Sequence, residues 1–237
     1  MRNNSLILFI LFLFPLMSFS PGRVDYQKHY GQSYQSALNF CQTNNGNFQK
    51  TAQKYRLNPL MLKAVVFPEL LRYNVLKDLI ETAALELVYI DNGNKAVDFS
   101  IGHFQMKTSF AEKIEAIAAE DENCDWSDEF QGLCSYNETD EKKIRKERLK
   151  RLTNLDWQLK YLAFFFKYAE LNLKNIQTAE DKIKWIATLY NCGIKMNEQH
   201  LKKWMDVKCF PYGTSVPAKI QHNYSEIALD FYLRNKN

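Results

Sequence analysis

The sequence predicts a mainly α-helical protein. Three observations carry that reading. Apolar residues recur at three- and four-residue spacing through most of the chain after Phe48. Helix start and stop residues bracket those runs, as with Asn58-Pro59 at one beginning and Gly193 at one end. Alternating strand patterns are lacking, apart from a short piece around 86–101. A length of 237 residues suits one domain with extensions, and 46% hydrophobic residues supply a sizeable core.

The N-terminus comes first in chain order. "MRNNSLILFILFLFPLMSFS" carries Arg2, an apolar run from Leu6 to Met17, then small residues Ser18 and Ser20. This is the pattern of a secretory signal peptide over residues 1–20, too short in its apolar part for a full span. The expected location is therefore periplasmic or cell-surface. No later stretch is long and apolar enough to cross a bilayer; "LAFFFKYAEL" is short and interrupted by Lys167. Residues 21–47 are rich in Tyr, Asn and Gln and read as a weakly structured extension, leaving 48–237 as the folded domain.

Within that domain a first helix is expected at about 48–56. A second starts at Asn58-Pro59 and carries "LMLKAVVFPELLRY", with Pro68 expected to kink or end it because it cannot donate to the Ala64 carbonyl. A third covers "LKDLIETAALELVYI" and stops at "DNGN". A polar loop over 91–107 precedes a helix at 109–119, for which Ser109 and Glu112 form a capping-box pair. The dense run "TDEKKIRKERLKRL" reads as a solvated helix face. A strongly apolar helix follows at 155–173, then one opened by Thr178 and ended by Gly193, and two shorter ones near 197–206 and 217–234.

The formal charge of +4 is small and scattered, which argues against a nucleic-acid partner. Export permits disulfides. Of five cysteines, Cys124 and Cys134 flank a short acidic loop that their pairing would staple, and Cys192–Cys209 or Cys41–Cys209 could form a second bridge. The four histidines (29, 103, 200, 222) do not cluster with the cysteines at zinc spacing, so neither metal nor cofactor is expected. A nucleophilic pair of His103 with Cys192 or Cys134 is disfavoured for the same reason that disulfides are favoured.

Chemistry is suggested by Glu69. It lies in "AVVFPELL", where Ala64, Val65, Val66, Phe67, Leu70 and Leu71 surround it in sequence. A carboxyl desolvated there holds its proton to higher pH and can serve as a general acid. The alternative is a Glu on the helix's polar face, paired with Arg72 or solvated. The loop "SIGHFQM" places Ser100, Gly102, His103 and Gln105 just ahead of a helix, and "LYNCG" places Tyr190 and Asn191 at the end of another. Plainer roles compete here too. Gln105 could bond within its loop, Tyr190 could be a core aromatic, and Asn191 could be a helix C-cap.

The order of these pieces resembles the lytic transglycosylase and goose-type lysozyme group of the lysozyme superfamily. In that group a single Glu precedes a loop of the Gly-Leu-Met-Gln kind and, later, a Tyr-Asn-Ala-Gly segment. Here the corresponding residues are Glu69, then Gly102-His103-Phe104-Gln105-Met106, then Tyr190-Asn191-Cys192-Gly193. "LNPLMLKAVV" is similar to the group's approach to its acid, and the resemblance spans about 48–235. Leu70 stands where a Ser commonly follows the acid, and the 36 residues from Glu69 to Gln105 exceed the usual gap.

The resemblance implies a lysozyme-like helical domain with a substrate groove. It also implies cleavage of the MurNAc-β-1,4-GlcNAc bond in peptidoglycan glycan strands. Glu69 would serve as acid and then base, giving 1,6-anhydromuropeptides, while Ser100, Gly102, His103 and Gln105 hold the sugar and Tyr190 and Asn191 line the cleft. Asp98 lies where goose-type lysozymes carry acidic residues. A hydrolase of inverting type needs a second carboxylate roughly 6.5–9.5 Å from the first; otherwise Asp98 is a turn residue bonded to its own loop. A cell-wall-binding protein without turnover is the third reading.

Overall fold

The computed structural model describes residues 24–76, 83–120, 127–173, 176–195 and 197–236. The signal-peptide segment and Cys124 lie outside the described residues. Eleven α-helices and two small two-stranded sheets are present among them, so the mainly helical expectation holds.

The chain is helical earlier than its composition suggests. Residues 21–47 read as a weakly structured extension, but α1 spans Tyr26–Thr43 and buries Tyr34, Ala37 and Cys41. Tyr26, Tyr30, Tyr34, Ala37 and Cys41 form a stripe at helical spacing, which the surrounding polar residues mask. Asp25 caps the helix by accepting from the Lys28 N–H at 3.3 Å. α2 (Asn45–Tyr55) buries Phe48, Ala52 and Tyr55 and stops at Arg56, whose φ of 55° is left-handed.

α3 (Pro59–Leu76) is the centre of the fold. Asn58 Oδ1 accepts from the N–H groups of Leu60 and Met61 at 2.9 and 3.2 Å, and Pro59 takes the first helical position, as expected. Pro68 does not end the helix, which continues to Leu76. Leu62, Ala64, Val65, Val66, Phe67, Leu70 and Leu71 are all buried. A helix apolar on every side must be enclosed by others, and α3 is packed by α1, α2, α8 (Leu155–Asn172), α9 (Ala179–Cys192) and α11 (Tyr224–Asn235).

α4 (Ala83–Asn92) ends at Gly93, whose φ is 76°. The strand expected near 86–101 does not form there: residues 86–92 belong to α4, and only Ser100–Ile101 is extended, in a short hairpin that runs on to Lys107. β1 (Ser100–Ile101) pairs antiparallel with β2 (Met106–Lys107), Ser100 opposite Lys107. α5 (Thr108–Glu120) follows, and its cap differs from the expected pair. Asp98 Oδ1 accepts from the Ser109 N–H at 3.1 Å and the Thr108 hydroxyl at 3.2 Å, and Oδ2 accepts from the Ser109 hydroxyl at 2.9 Å. A charged cap held by tertiary structure displaces the local Ser109 cap, and Glu112 turns instead to Tyr89 and Arg148. α6 (Ser127–Phe130) leads to α7 (Glu141–Thr153). Beyond α9, α10 spans Glu198–Met205, and β3 (Lys208–Phe210) pairs antiparallel with β4 (His222–Asn223). The last expected helix begins only at Tyr224, after a 3₁₀ turn at Ala218–Ile220.

The charged run on α7 is not simply a solvated face, because Arg148 and Arg151 are buried. Arg148 Nη2 donates to Glu115 at 2.7 Å, its Nε to both Glu115 oxygens at 3.0 Å, and its Nη1 to the Tyr89 hydroxyl at 2.7 Å. Glu115 Oε1 also accepts from the hydroxyls of Tyr136 and Tyr161, each at 2.6 Å. Arg151 lies between the rings of Tyr136 and Trp157, 3.9 and 4.2 Å from their centroids, and donates to the Leu133 carbonyl at 2.9 Å.

Removing one partner of such a pair strands a buried charge. Arg148→Met is expected to cost about 3–5 kcal/mol in denaturant unfolding. The double variant Glu115→Leu/Arg148→Met should recover part of that loss, and a double variant no better than the single would remove the coupling.

Candidate active site

Glu69 lies at a cavity of about 240 Å³. Four elements line it. The middle of α3 contributes Glu69 and Arg72, and the hairpin contributes Asp98, Ser100, Gln105 and Lys107. The start of α5 contributes Ser109 and Lys113, and the end of α9 contributes Tyr190, Asn191 and Cys192. Six of the eight residues singled out from the sequence thus share one concavity: Glu69, Asp98, Ser100, Gln105, Tyr190 and Asn191. Gly102 and His103 do not line it.

The Glu69 side chain is only 4% exposed. Burial pushes its carboxyl up from the ordinary range, and this outweighs opposing pulls from Arg72, the Tyr224 hydroxyl and Lys107. Arg72 Nη1 donates to both carboxyl oxygens at 2.8 and 2.9 Å. The two sequence alternatives therefore coexist: Glu69 is buried and also paired with Arg72. Arg72 Nη2 reaches Asn191 Oδ1 at 3.4 Å, and the guanidinium stands 5.0 Å over the Phe210 ring and 5.7 Å over that of Tyr224.

Two tyrosines close the carboxyl in. Burial, reinforced by Glu69, pushes both the Tyr190 and Tyr224 hydroxyls well above the usual range, so both stay neutral hydrogen-bond donors. Tyr190 donates to the Phe104 carbonyl at 2.8 Å, linking α9 to the hairpin loop. Tyr190 is thus a core aromatic and a cavity wall at once, while the C-cap of α9 is Gly193 and not Asn191.

The loop's shape follows from two buried contacts. Gly102 has φ 69°, and a Cβ there would lie 1.8 Å from Gln158 Nε2 and 2.6 Å from the Leu152 carbonyl oxygen. Only glycine fits, so Gly102 shapes the loop without facing the cavity. Gln158 in turn accepts from the Phe104 N–H at 3.1 Å. Gln105 sits at φ 47° and its Nε2 donates to the Gly102 carbonyl at 2.9 Å, the loop-internal bond among its two sequence readings, while its side chain still borders the cavity. His103 points elsewhere, its ring centroid 4.5 Å from Phe40 and 4.9 Å from Tyr73, and burial lowers its pKa.

Asp98 is in the cavity wall, but its oxygens are occupied by the α5 cap and by Lys107 at 3.6 Å. Arg72, Lys107, Lys113 and Tyr224 are among the residues of the site that the sequence did not assign to it. Arg72 carried a signal, since residues three apart face each other on a helix. Tyr224, 155 residues beyond Glu69, carried none.

Cys41, Cys134, Cys192 and Cys209 are thiols among the described residues. Neither Cys192–Cys209 nor Cys41–Cys209 is bridged, and the Cys124–Cys134 staple involves a residue outside the description. Burial pushes the Cys41 and Cys192 thiols up to about 12, the wrong direction for a nucleophile. No three His, Cys, Asp or Glu side chains converge as a metal site among the described residues, and none of the described helices is long and apolar enough to cross a membrane.

No protein-family model, curated protein or solved structure matches the chain. The site therefore rests on its own geometry. A carboxyl with a raised folded-state pKa lets the native state bind the extra proton. Its stability contribution then declines as pH climbs from the ordinary Glu range through the raised value. Glu69→Gln is expected to raise the thermal midpoint at pH 7, with the gain shrinking toward nothing near about pH 4. A gain independent of pH, or a loss at pH 7, would contradict the desolvated acid.

Proposed function

We propose that the chain cleaves peptidoglycan glycan strands as a lytic transglycosylase, at the MurNAc-β-1,4-GlcNAc bond. The observation that carries this reading is a buried carboxyl with a raised pKa bordering an open cavity, faced by the 98–107 loop and the Tyr190-Asn191 segment. The order and type of these pieces support it further by their resemblance to the lytic transglycosylase and goose-type lysozyme group.

In this reading protonated Glu69 delivers its proton to the glycosidic oxygen as the bond to C1 breaks. Arg72 then stabilises the resulting carboxylate, which its Nη1 already touches through both oxygens. The carboxylate takes the proton of the muramyl C6 hydroxyl as that oxygen closes on C1. The products are an anhydro sugar end and a free hydroxyl on the departing sugar, and Glu69 is left protonated for another turn. Ser100 and Gln105 offer polar groups to the sugar, and Asn191 keeps Arg72 in register. Gly102 keeps the loop in shape, and His103 supports it from behind through Phe40 and Tyr73.

An inverting hydrolase would need Asp98 to activate water. Asp98 shares the cavity, but three hydrogen bonds at the start of α5 hold its oxygens. Its substitution should therefore act mainly on stability of the loop.

The test is the mass of muropeptides released from purified sacculi. Anhydro products, one water lighter than hydrolytic ones, are expected, and Glu69→Gln should lower turnover by roughly 10²–10⁴. Asp98→Asn should cost far less. Reducing-end products with a crippled Asp98→Asn enzyme would make the protein a hydrolase. Glycan binding without turnover, unchanged in Glu69→Gln, would make it a binding protein.

A further inference from the structure

A second concavity, of about 260 Å³, lies between α2 and α8 and shares no lining residue with the Glu69 cavity. From α2 come Lys50 and Lys54, one helical turn apart and so on one face, with Asn47 and Thr51 beside them. From α8 come Trp157 and Lys160, with Asp156 at the edge. Three lysines and one carboxylate thus line the groove, and Asp156 already accepts from the Asn47 amide at 3.2 Å.

None of the three lysines forms an ion pair among the described residues. Lys160 is half-buried. Its Nζ packs on Gly132, where a Cβ would come within 2.6 Å, and stands 5.1 Å from the Trp157 ring centroid. Arg151 occupies the same ring at 4.2 Å. Burial pushes the Lys160 pKa down, and the charges of Lys54 and Arg151 push it further the same way. A half-buried cation crowded by like charges is unfavourable, and a bound anion would relieve both the desolvation and the repulsion.

We propose that this groove binds a phosphate group, as the free ion or as a phosphodiester in a chain. The donor set selects that anion. Ammonium groups act as point charges that gather around a compact anion with several oxygens, whereas a planar carboxylate is best matched by an arginine fork. The nearby Arg151 fork is already committed to the carbonyls of Leu133 and Ser135, at 2.9 and 2.6 Å. Thr51, with a hydroxyl able to donate, and Trp157 also line the groove. The site is independent of the chemistry at Glu69 and stands or falls separately.

The test is titration of the full chain with inorganic phosphate at fixed ionic strength, followed by amide and indole NMR signals. Saturable shifts are expected at the Trp157 indole and at the backbone of Lys50, Lys54 and Lys160, with no matching response to acetate. Lys160→Gln should weaken binding by about tenfold or more, since a hydrogen bond to a charged group is lost. Lys54→Gln, on the exposed helix face, should weaken it as well and guards against a folding defect at Lys160. A short glycerol-phosphate oligomer assigns the source: tighter binding than inorganic phosphate per phosphate group marks a phosphodiester chain, and equal binding marks the free ion. Shifts that do not saturate, that acetate reproduces, or that survive both substitutions would overturn the site.

Discussion

Glu69 and Arg72 form the contact on which the account turns. A carboxyl inside the most enclosed helix of the fold would be ruinous as a lone anion. Arg72, three residues on and in the wall of the same cavity, makes it tolerable without cancelling the effect of burial. A carboxyl held in that balance keeps its proton to higher pH than an exposed Glu does, because burial outweighs the pull of Arg72. The rest of the site serves to keep the balance, with Tyr190 and Tyr224 closing the walls and Asn191 and Phe210 bracing the guanidinium.

The chain contains a built-in contrast. Glu115 is also buried, but it accepts from Arg148, Tyr136 and Tyr161 together, so its lone pairs are saturated by fixed donors. Such a carboxylate locks α5, α7 and α8 into one unit. Glu69 has fewer donors and a cavity beside it. Two acids of the same type in one helical protein thus take different roles, set by how many donors face them and whether anything else can enter.

Much of the fold was legible. Asn58-Pro59, Thr178 and Gly193 marked helix ends because local hydrogen bonding decides them. What stayed hidden depended on distant partners. α1 was masked by polar residues around its tyrosine stripe, and the α5 cap went to Asp98 because the hairpin delivers a carboxylate that beats Ser109. Arg148 looked solvated since nothing near it in sequence announces Glu115. Within the site, the apolar neighbours of Glu69 point to burial while Arg72 points to pairing, and the Tyr190-Asn191 wall is expected only through the family resemblance. Tyr224 was silent because a lone tyrosine at the start of a terminal helix has no distinguishing pattern. His103, which the resemblance puts at the sugar, packs against Phe40 and Tyr73, a direction that sequence does not set for a loop residue.

The most direct measurement is the titration of the Glu69 carboxyl itself, from carbon NMR of carboxyl-labelled protein with Glu69→Gln to assign the signal. The expected midpoint is clearly above the ordinary Glu value of about 4.3. A midpoint at or below that value would show that Arg72 outweighs burial, leaving Glu69 an ionised structural anion at neutral pH and removing the acid that the proposed chemistry requires.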